Sequence, residues 1–156
     1  MINGFEIHVA TKGDFEKIQY LFKKMFVLYS EDQNIDYPYT KKGIDYLHNC
    51  IDNGMALVAR DGKEVIGFIT GGVENALPFK TYQKQAYIHN LFVLEEFRRQ
   101  GIGKTLIQKF IKICKDRNID HIITDSEDSA QLRTFYQSVG FKVTGVIYEM
   151  KISSVP

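Results

Sequence analysis

Val93-Leu94-Glu95-Glu96-Phe97-Arg98-Arg99-Gln100-Gly101-Ile102-Gly103-Lys104-Thr105 is the stretch on which the fold turns. Before it, Gln85 to Val93 reads as a strand, and Glu95 to Gln100 as a turn with adjacent arginines. After it, Gly101 to Arg117 reads as a helix with Leu106, Ile107, Phe110, Ile111 and Cys114 on one face. Glycines at such a junction let backbone N–H groups approach an anion closely, and a helix N-terminus adds a favourable dipole. The stretch therefore reads as a phosphate or pyrophosphate cradle. It is not a Walker loop, because Arg98 stands where the first glycine is needed. It is not a dinucleotide fingerprint either, because Leu106 stands where a third glycine is needed. The plainer alternative is a helix entry whose glycines only turn the chain.

Outward from this stretch, a mixed pattern unfolds. Downstream, His121 to Asp125 reads as a short buried strand and Ser129 to Ser138 as a helix stopped by Gly140. Two strands, Lys142 to Thr144 and Val146 to Ile152, are predicted around Gly145. Upstream, Glu6 to Ala10 reads as a strand. Ile18, Leu21, Phe22, Met25 and Phe26 recur at three- and four-residue steps, which predicts a helix from Phe15 to near Tyr29. Lys41 to Asn53 is a second helix, with Gly54 as its stop. Met55 to Arg60 and Val65 to Gly72 are strands joined at Asp61-Gly62. The order is β-α-α-β-β-β-α-β-α-β-β. This is an α/β fold with a mixed central sheet flanked by helices, an antiparallel meander and then a β-α-β crossover.

The chain has 156 residues, about one domain at roughly 150 residues each, so a single domain over 1–156 is expected. Its formal net charge is +1, which argues against a nucleic-acid binder working through its overall field. Cys50 and Cys114 sit in helical patterns without CxxC spacing, which suits free thiols in a reducing cytoplasm. No signal peptide is readable, and no apolar run reaches the 18 or so residues of a membrane span. His8, His48, His89 and His121 show no ligand spacing, so no metal site is predicted.

Arg98-Arg99-Gln100-Gly101-Ile102-Gly103 resembles the Arg/Gln-x-x-Gly-x-Gly/Ala motif of the GNAT N-acetyltransferases, at the strand-to-helix junction where that family carries it. Phe135-Tyr136-Gln137-Ser138-Val139-Gly140-Phe141 is similar to the family's Phe-Tyr-x-x-x-Gly-Phe segment. The order of elements fits as well. The resemblance implies a GNAT-like fold with acetyl-CoA as co-substrate and no metal. It implies that amides from Arg99 to Lys104, beside Arg98, bind the pyrophosphate through Gln100, Gly101, Ile102 and Gly103. It further implies that backbone groups of Leu91, Phe92 and Val93 meet the pantetheine arm, and that the Leu91 or Phe92 amide polarises the thioester carbonyl. A homodimer is implied as one of the open oligomeric states.

An amine attacking a thioester must first be neutral, yet an alkyl ammonium of pKa about 10 holds its proton at pH 7. Something must take that proton, and the leaving thiolate gains from a donor. By resemblance, Tyr136 is the catalytic donor, its alternative being a core tyrosine beside Phe135 and Phe141. His89 is the candidate base, because an imidazole titrates near neutrality. Tyr87, His89 and Leu91 share one face of their strand if no bulge intervenes. Some family members carry Glu where Tyr87 stands. Glu74 is a further candidate, read as an exposed loop carboxylate. Ser129 stands where many members carry an Asn that contacts CoA, and a hydroxyl cannot reproduce an amide's geometry. Glu31, Asp32 and Asp36, with Tyr29, Tyr37 and Tyr39, form an acidic aromatic loop suited to a cationic amine, or simply a solvated one. The expected activity is acetyl transfer to a small-molecule primary amine. A non-catalytic acyl-CoA-binding module is the alternative, and a nucleotide-binding module a distant third.

Overall fold

A computed structural model describes residues 4–29, 36–148 and 150 of the chain. They belong to two compact units, Met1–Asp125 and Ser126–Pro156. The first unit is built on a five-stranded sheet in the order β1 (Glu6–Val9), β2 (Ala56–Asp61), β3 (Glu64–Asn75), β4 (Lys84–Val93), β5 (Ile122–Thr124). From β1 to β4 each strand runs antiparallel to the next. β5 joins β4 in parallel, as a strand returning through a helical crossover must. The mixed sheet and its flanking helices are the expected α/β architecture.

Ala56 to Ala59 of β2 and Val65 to Gly71 of β3 are buried, because helices cover both faces there. α1 (Phe15–Tyr29) puts Phe22 against Phe68, ring centroids 4.6 Å apart. α2 (Lys41–Asp52) places the Tyr46 hydroxyl 3.0 Å from Thr70 Oγ1. α3 (Ile102–Asp116) lies on the other face, where a Cβ on Gly71 would come within 2.6 Å of the Phe110 ring. Thr70 and Gly71 are neighbours on β3 and so point to opposite faces, which sorts the helices into two layers. Ile18, Leu21, Phe22 and Met25 form the buried stripe of α1 that the sequence periodicity predicts.

Polar groups pin the margins of this core. Asp14 is 3 % exposed and pairs with Arg60 of β2, while its Oδ2 accepts from Thr11 N at 2.9 Å and Thr11 Oγ1 at 3.0 Å. Buried Gln19 donates to Pro38 O at 2.6 Å, tying α1 to the turn Tyr37–Tyr39. Thr40 Oγ1 accepts from Gly43 N at 3.2 Å and caps α2. Gly54 ends that helix with φ +64°, and Gly62 turns the β2–β3 hairpin with φ +57°.

Ser126–Pro156 contains α4 (Ala130–Ser138), capped by Ser129, whose Oγ accepts from Leu132 N at 3.1 Å. Gly140 follows with φ +99°. The two closing strands expected over 142–144 and 146–152 are corrected here: residues 141–148 and Met150 form no strand. Glu149, Lys151 and Ile152 lie outside the described residues. Val143, Val146, Ile147 and Tyr148 are β-branched or aromatic, types that favour strands, but they are exposed, and such residues form a strand only when a partner supplies hydrogen bonds.

Candidate active site

β4 positions the site through an irregularity in its pairing. Thr70 faces Asn90, the next β3 residue Gly71 faces Ile88, and His89 is left over as a bulge. The expected alternation of Tyr87, His89 and Leu91 is therefore corrected. His89 and Asn90 are adjacent in sequence, yet both reach the Tyr46 hydroxyl, at 3.1 Å from Nδ1 and 3.2 Å from Oδ1. Phe92 follows Asn90 onto this face, 6.2 Å from Phe68 between ring centroids, so alternation turns Leu91 to the other. Gly71 is required at the bulge, since a Cβ there would sit 2.3 Å from Tyr87 O.

The His89 ring lies between two tyrosines, stacked on Tyr87 at 5.2 Å and tilted against Tyr46 at 5.6 Å. The remaining edge of the group is closed by Thr70 Oγ1, which lies 3.1 Å from Asn90 Oδ1. Burial penalises the imidazolium and moves the His89 pKa below its usual 6.5, against the opposing pull of Glu74 and Asp125. His89 is thus neutral at pH 7, as a base must be. Tyr87 donates to Asp125, and burial together with that carboxylate pushes its pKa up to about 12. Burial also raises the Tyr46 pKa far above the usual phenol range. Both phenols keep their protons. Glu74 lies in β3 rather than in a loop, exposed and opposite Gln85.

β4 outruns β5. Their pairing covers only Ala86, Tyr87 and Ile88, and Thr124 Oγ1 donates to Ile88 O at 3.0 Å where it ends. Leu91, Phe92 and Val93 pair with Ile69, Phe68 and Gly67 on one side only. The turn that follows opens with Glu95–Phe97 and holds Arg99 at φ +62° and Gly101 at φ +84°. A Cβ on Gly101 would meet nothing within 4 Å, so backbone conformation, and not space, calls for glycine there. Thr105 N donates to Gly101 O at 3.0 Å, which opens the hydrogen bonding of α3. Amides of the preceding first turn, Ile102, Gly103 and Lys104, have no carbonyl within the helix to bond.

Arg98 is the charged centre of this turn. Its Nε donates to Val93 O at 2.8 Å and its guanidinium lies 5.6 Å from the Phe92 ring centroid. Its Nη2 is buried and has no partner among the described residues. A buried guanidinium nitrogen left unbonded costs free energy unless an anion or other acceptor meets it. A cation with a spare donor, a left-handed glycine and an exposed helix start together suit the diphosphate of acetyl-CoA. The unpaired side of β4 suits its amide-bearing arm.

The other expected residues fall as follows. Tyr136 is half-buried on α4, edge-on to Phe135 and Phe141 at 5.3 and 5.6 Å. Ser129 spends its oxygen on capping that helix. Asp36 pairs with Lys23 at 2.7 Å, while Glu31 and Asp32 lie outside the described residues. Tyr29 and Tyr39 are exposed, and Tyr37 packs edge-on against Phe26 at 5.7 Å. Cys50 and Cys114 are free and buried, and burial raises both thiols, Cys114 to about 11. Among the described residues no cluster could hold a metal ion, and no helix is long and apolar enough to cross a membrane. Sequence reasoning missed Tyr46, Thr70, Asn90 and Asp125. Only Asp125 carried a signal, at the carboxyl end of a parallel strand, where ligands of open α/β sheets gather.

Residues 17–141 match the family model described as "Acetyltransferase (GNAT) family". A human protein named N-acetyltransferase 8 is 34 % identical over 93 residues, which cover 56 % of this chain and 38 % of that protein. The chain spans between 38 % and 58 % of the length of the curated relatives it matches. A predicted acetyltransferase from Clostridium acetobutylicum, solved with acetyl-CoA, superposes with a TM-score of 0.82 at 20 % identity, covering 97 % of this chain and 99 % of that one. The aminoglycoside acetyltransferase AAC(6')-Iy, solved with the bisubstrate analogue CoA-S-monomethyl-acetylneamine, gives 0.76 at 18 % identity over 96 % and 99 %. At these identities the two structures speak to the fold.

Proposed function

Because the chain belongs to the acetyltransferase (GNAT) family, we propose that it moves an acetyl group from acetyl-CoA to the primary amine of a small-molecule acceptor, by direct attack in a ternary complex. Residues 1–156 act in this reading as one such domain. The observation that carries it is the buried Nη2 of Arg98 beside the start of α3, unpartnered among the described residues, at the end of a strand whose far side is unpaired among them. Acetyl-CoA supplies the activated acyl carbon and a thiolate leaving group.

The chain's own groups divide the remaining work. Arg98 and the amides of Arg99, Gln100, Gly101, Ile102, Gly103 and Lys104 hold the diphosphate, as a charged helix start holds an anion. Leu91, Phe92 and Val93 offer their unpaired side to the pantetheine amides, and the Leu91 or Phe92 N–H meets the thioester oxygen as it gains charge. His89, neutral at pH 7, takes a proton from the acceptor ammonium. The amine lone pair then forms the C–N bond as the C–S bond breaks, Tyr136 protonates the departing thiolate, and the phenolate so left regains its proton from the one the new amide nitrogen sheds. The carboxylates of Glu74 and Asp125, whose charges act on His89, favour a cationic acceptor. Ser129 retains a hydroxyl hydrogen to offer CoA while its oxygen caps α4. The raised thiols of Cys50 and Cys114 are poor nucleophiles, which supports direct transfer over an acyl-cysteine route.

Incubation with acetyl-CoA and a panel of primary amines tests the reading. Release of free thiol, with a product 42 Da heavier per acetyl group by mass analysis (about that figure for any acetylated amine), is expected. If acetyl-CoA at millimolar concentration raises the melting temperature but no amine yields thiol, the chain is an acyl-CoA-binding module and the catalytic part falls.

A further inference from the structure

Four polar atoms meet beside the bulge: Tyr46 Oη, Thr70 Oγ1, Asn90 Oδ1 and His89 Nδ1. Four of the distances between them fall in hydrogen-bond range, 3.0 Å (Tyr46–Thr70), 3.2 Å (Tyr46–Asn90), 3.1 Å (Thr70–Asn90) and 3.1 Å (Tyr46–His89). Each bond needs one hydrogen. Tyr46 and Thr70 bring one each, and the Asn90 oxygen brings none. If His89 carries its proton on Nε2, two hydrogens serve four contacts, and spending one on His89 leaves a single hydrogen among three oxygens. If His89 carries its proton on Nδ1, that N–H donates to Tyr46. Tyr46 and Thr70 then keep both of their hydrogens for the oxygens, so three of the four contacts are bonded.

From this count we infer that Tyr46, backed by Thr70 and Asn90, is a positioning residue that fixes His89 as the Nδ1–H tautomer and leaves Nε2 as its lone-pair atom. Free imidazole side chains favour the opposite tautomer, so the ring must be held by its partner. The bulge is what makes this arrangement possible, since it brings two consecutive side chains, His89 and Asn90, to one hydroxyl. The ring plane is fixed by Tyr87 stacked against it, and Gly72 keeps the space beside it open, where a Cβ would come within 3.3 Å of His89 Cε1. As a statement about which nitrogen takes the acceptor's proton, the inference rests on His89 being the base.

The charged and titratable groups around the ring are Glu74 of β3, Tyr87 of β4, Tyr46 of α2 and Asp125 beyond β5, with Cys50 one turn from Tyr46 and interacting with it. At pH 8 the phenols and the thiol keep their hydrogens. The hydrogen count around Tyr46 is then unchanged from neutral pH to pH 8.

Nitrogen-15 NMR of uniformly labelled protein at pH 8, where His89 is neutral, reads the tautomer directly. The expected spectrum shows His89 Nδ1 as the protonated, pyrrole-type nitrogen and Nε2 as the bare one. In Tyr46→Phe the assignment moves toward Nε2–H and turnover falls about tenfold or more, with acetyl-CoA affinity unchanged. A wild-type spectrum with Nε2 protonated overturns the inference; reversal of the Asn90 amide, which would free the Tyr46 hydrogen for Nδ1, produces that result. The wild-type spectrum decides even if Tyr46→Phe fails to fold. His89→Gln separates the two levels: full turnover in that variant, with Nδ1–H in the wild type, removes the base and leaves the tautomer assignment standing.

Discussion

Arg98 combines two duties that a shorter cation cannot. Its Nε holds the end of β4 through Val93 O, and its Nη2 is left with a hydrogen to give. A hydrogen bond to a charged group contributes roughly 1.5–3 kcal/mol, so Arg98→Gln is expected to weaken acetyl-CoA binding by about ten- to a hundredfold in calorimetry. Equal affinity would separate Arg98 from the diphosphate. For Tyr136→Phe the expectation is a loss of turnover on the order of a hundredfold with CoA affinity retained, the usual size of a general-acid contribution. A stopped assay with unaltered turnover would return Tyr136 to a packing role beside Phe135 and Phe141.

His89 also gives a pH prediction whose sign follows from its neighbours. Burial lowers its pKa and the charges of Glu74 and Asp125 raise it. Replacing either carboxylate, by Glu74→Gln or Asp125→Asn, therefore moves the NMR midpoint of His89 further below 6.5. An upward movement would mean that those carboxylates do not face the ring. The linked stability has the matching direction. A folded pKa below the unfolded one gives a contribution present above about pH 6.5 and lost as pH falls through the folded value.

At the scale of elements, the bulge in β4 is the device that distinguishes this sheet from a plain meander. It depends on Gly71, whose missing Cβ admits both Tyr87 O and the Phe110 ring. Gly71→Ala forces backbone or α3 to move, and overpacking of this kind costs about 1–3 kcal/mol. Urea denaturation should show a midpoint lowered accordingly, and His89 should lose its contact with Tyr46. An unchanged midpoint would show that the bulge has slack. The same bulge explains why the reading of β4 from sequence placed Leu91 beside His89. No glycine or proline marks residues 88–90, so nothing in the pattern announces an extra residue. α1, α2 and α3 were legible because their apolar stripes repeat at helical spacing and Gly54 stops the second. The two closing strands were misread because Val143, Val146, Ile147 and Tyr148 are strand-favouring residue types whether or not a partner is there.

For the molecule as a whole, the fold and the proposed donor were readable from a contiguous motif, while the proposed catalytic neighbourhood was not. Residues 98–103 are adjacent in sequence, so their spacing carries the information. Tyr46, Thr70, Asn90 and Asp125 come from four separate elements or loops and meet only when the sheet and α2 have packed. Their residue types are ordinary on helix faces and strands, and no pattern singles them out. The acceptor is less legible still, because a shared fold and donor motif do not fix it.

In the proposed reaction the turn between β4 and α3 grips the diphosphate of acetyl-CoA. Isothermal titration of acetyl-CoA into the wild type and into Gly103→Asp tests it most directly. The prediction is saturable binding to the wild type that is lost or weakened at least tenfold in the variant, where a carboxylate repels the phosphates at the helix start. No binding to the folded wild type at millimolar acetyl-CoA, or equal affinity in the two proteins, would contradict it.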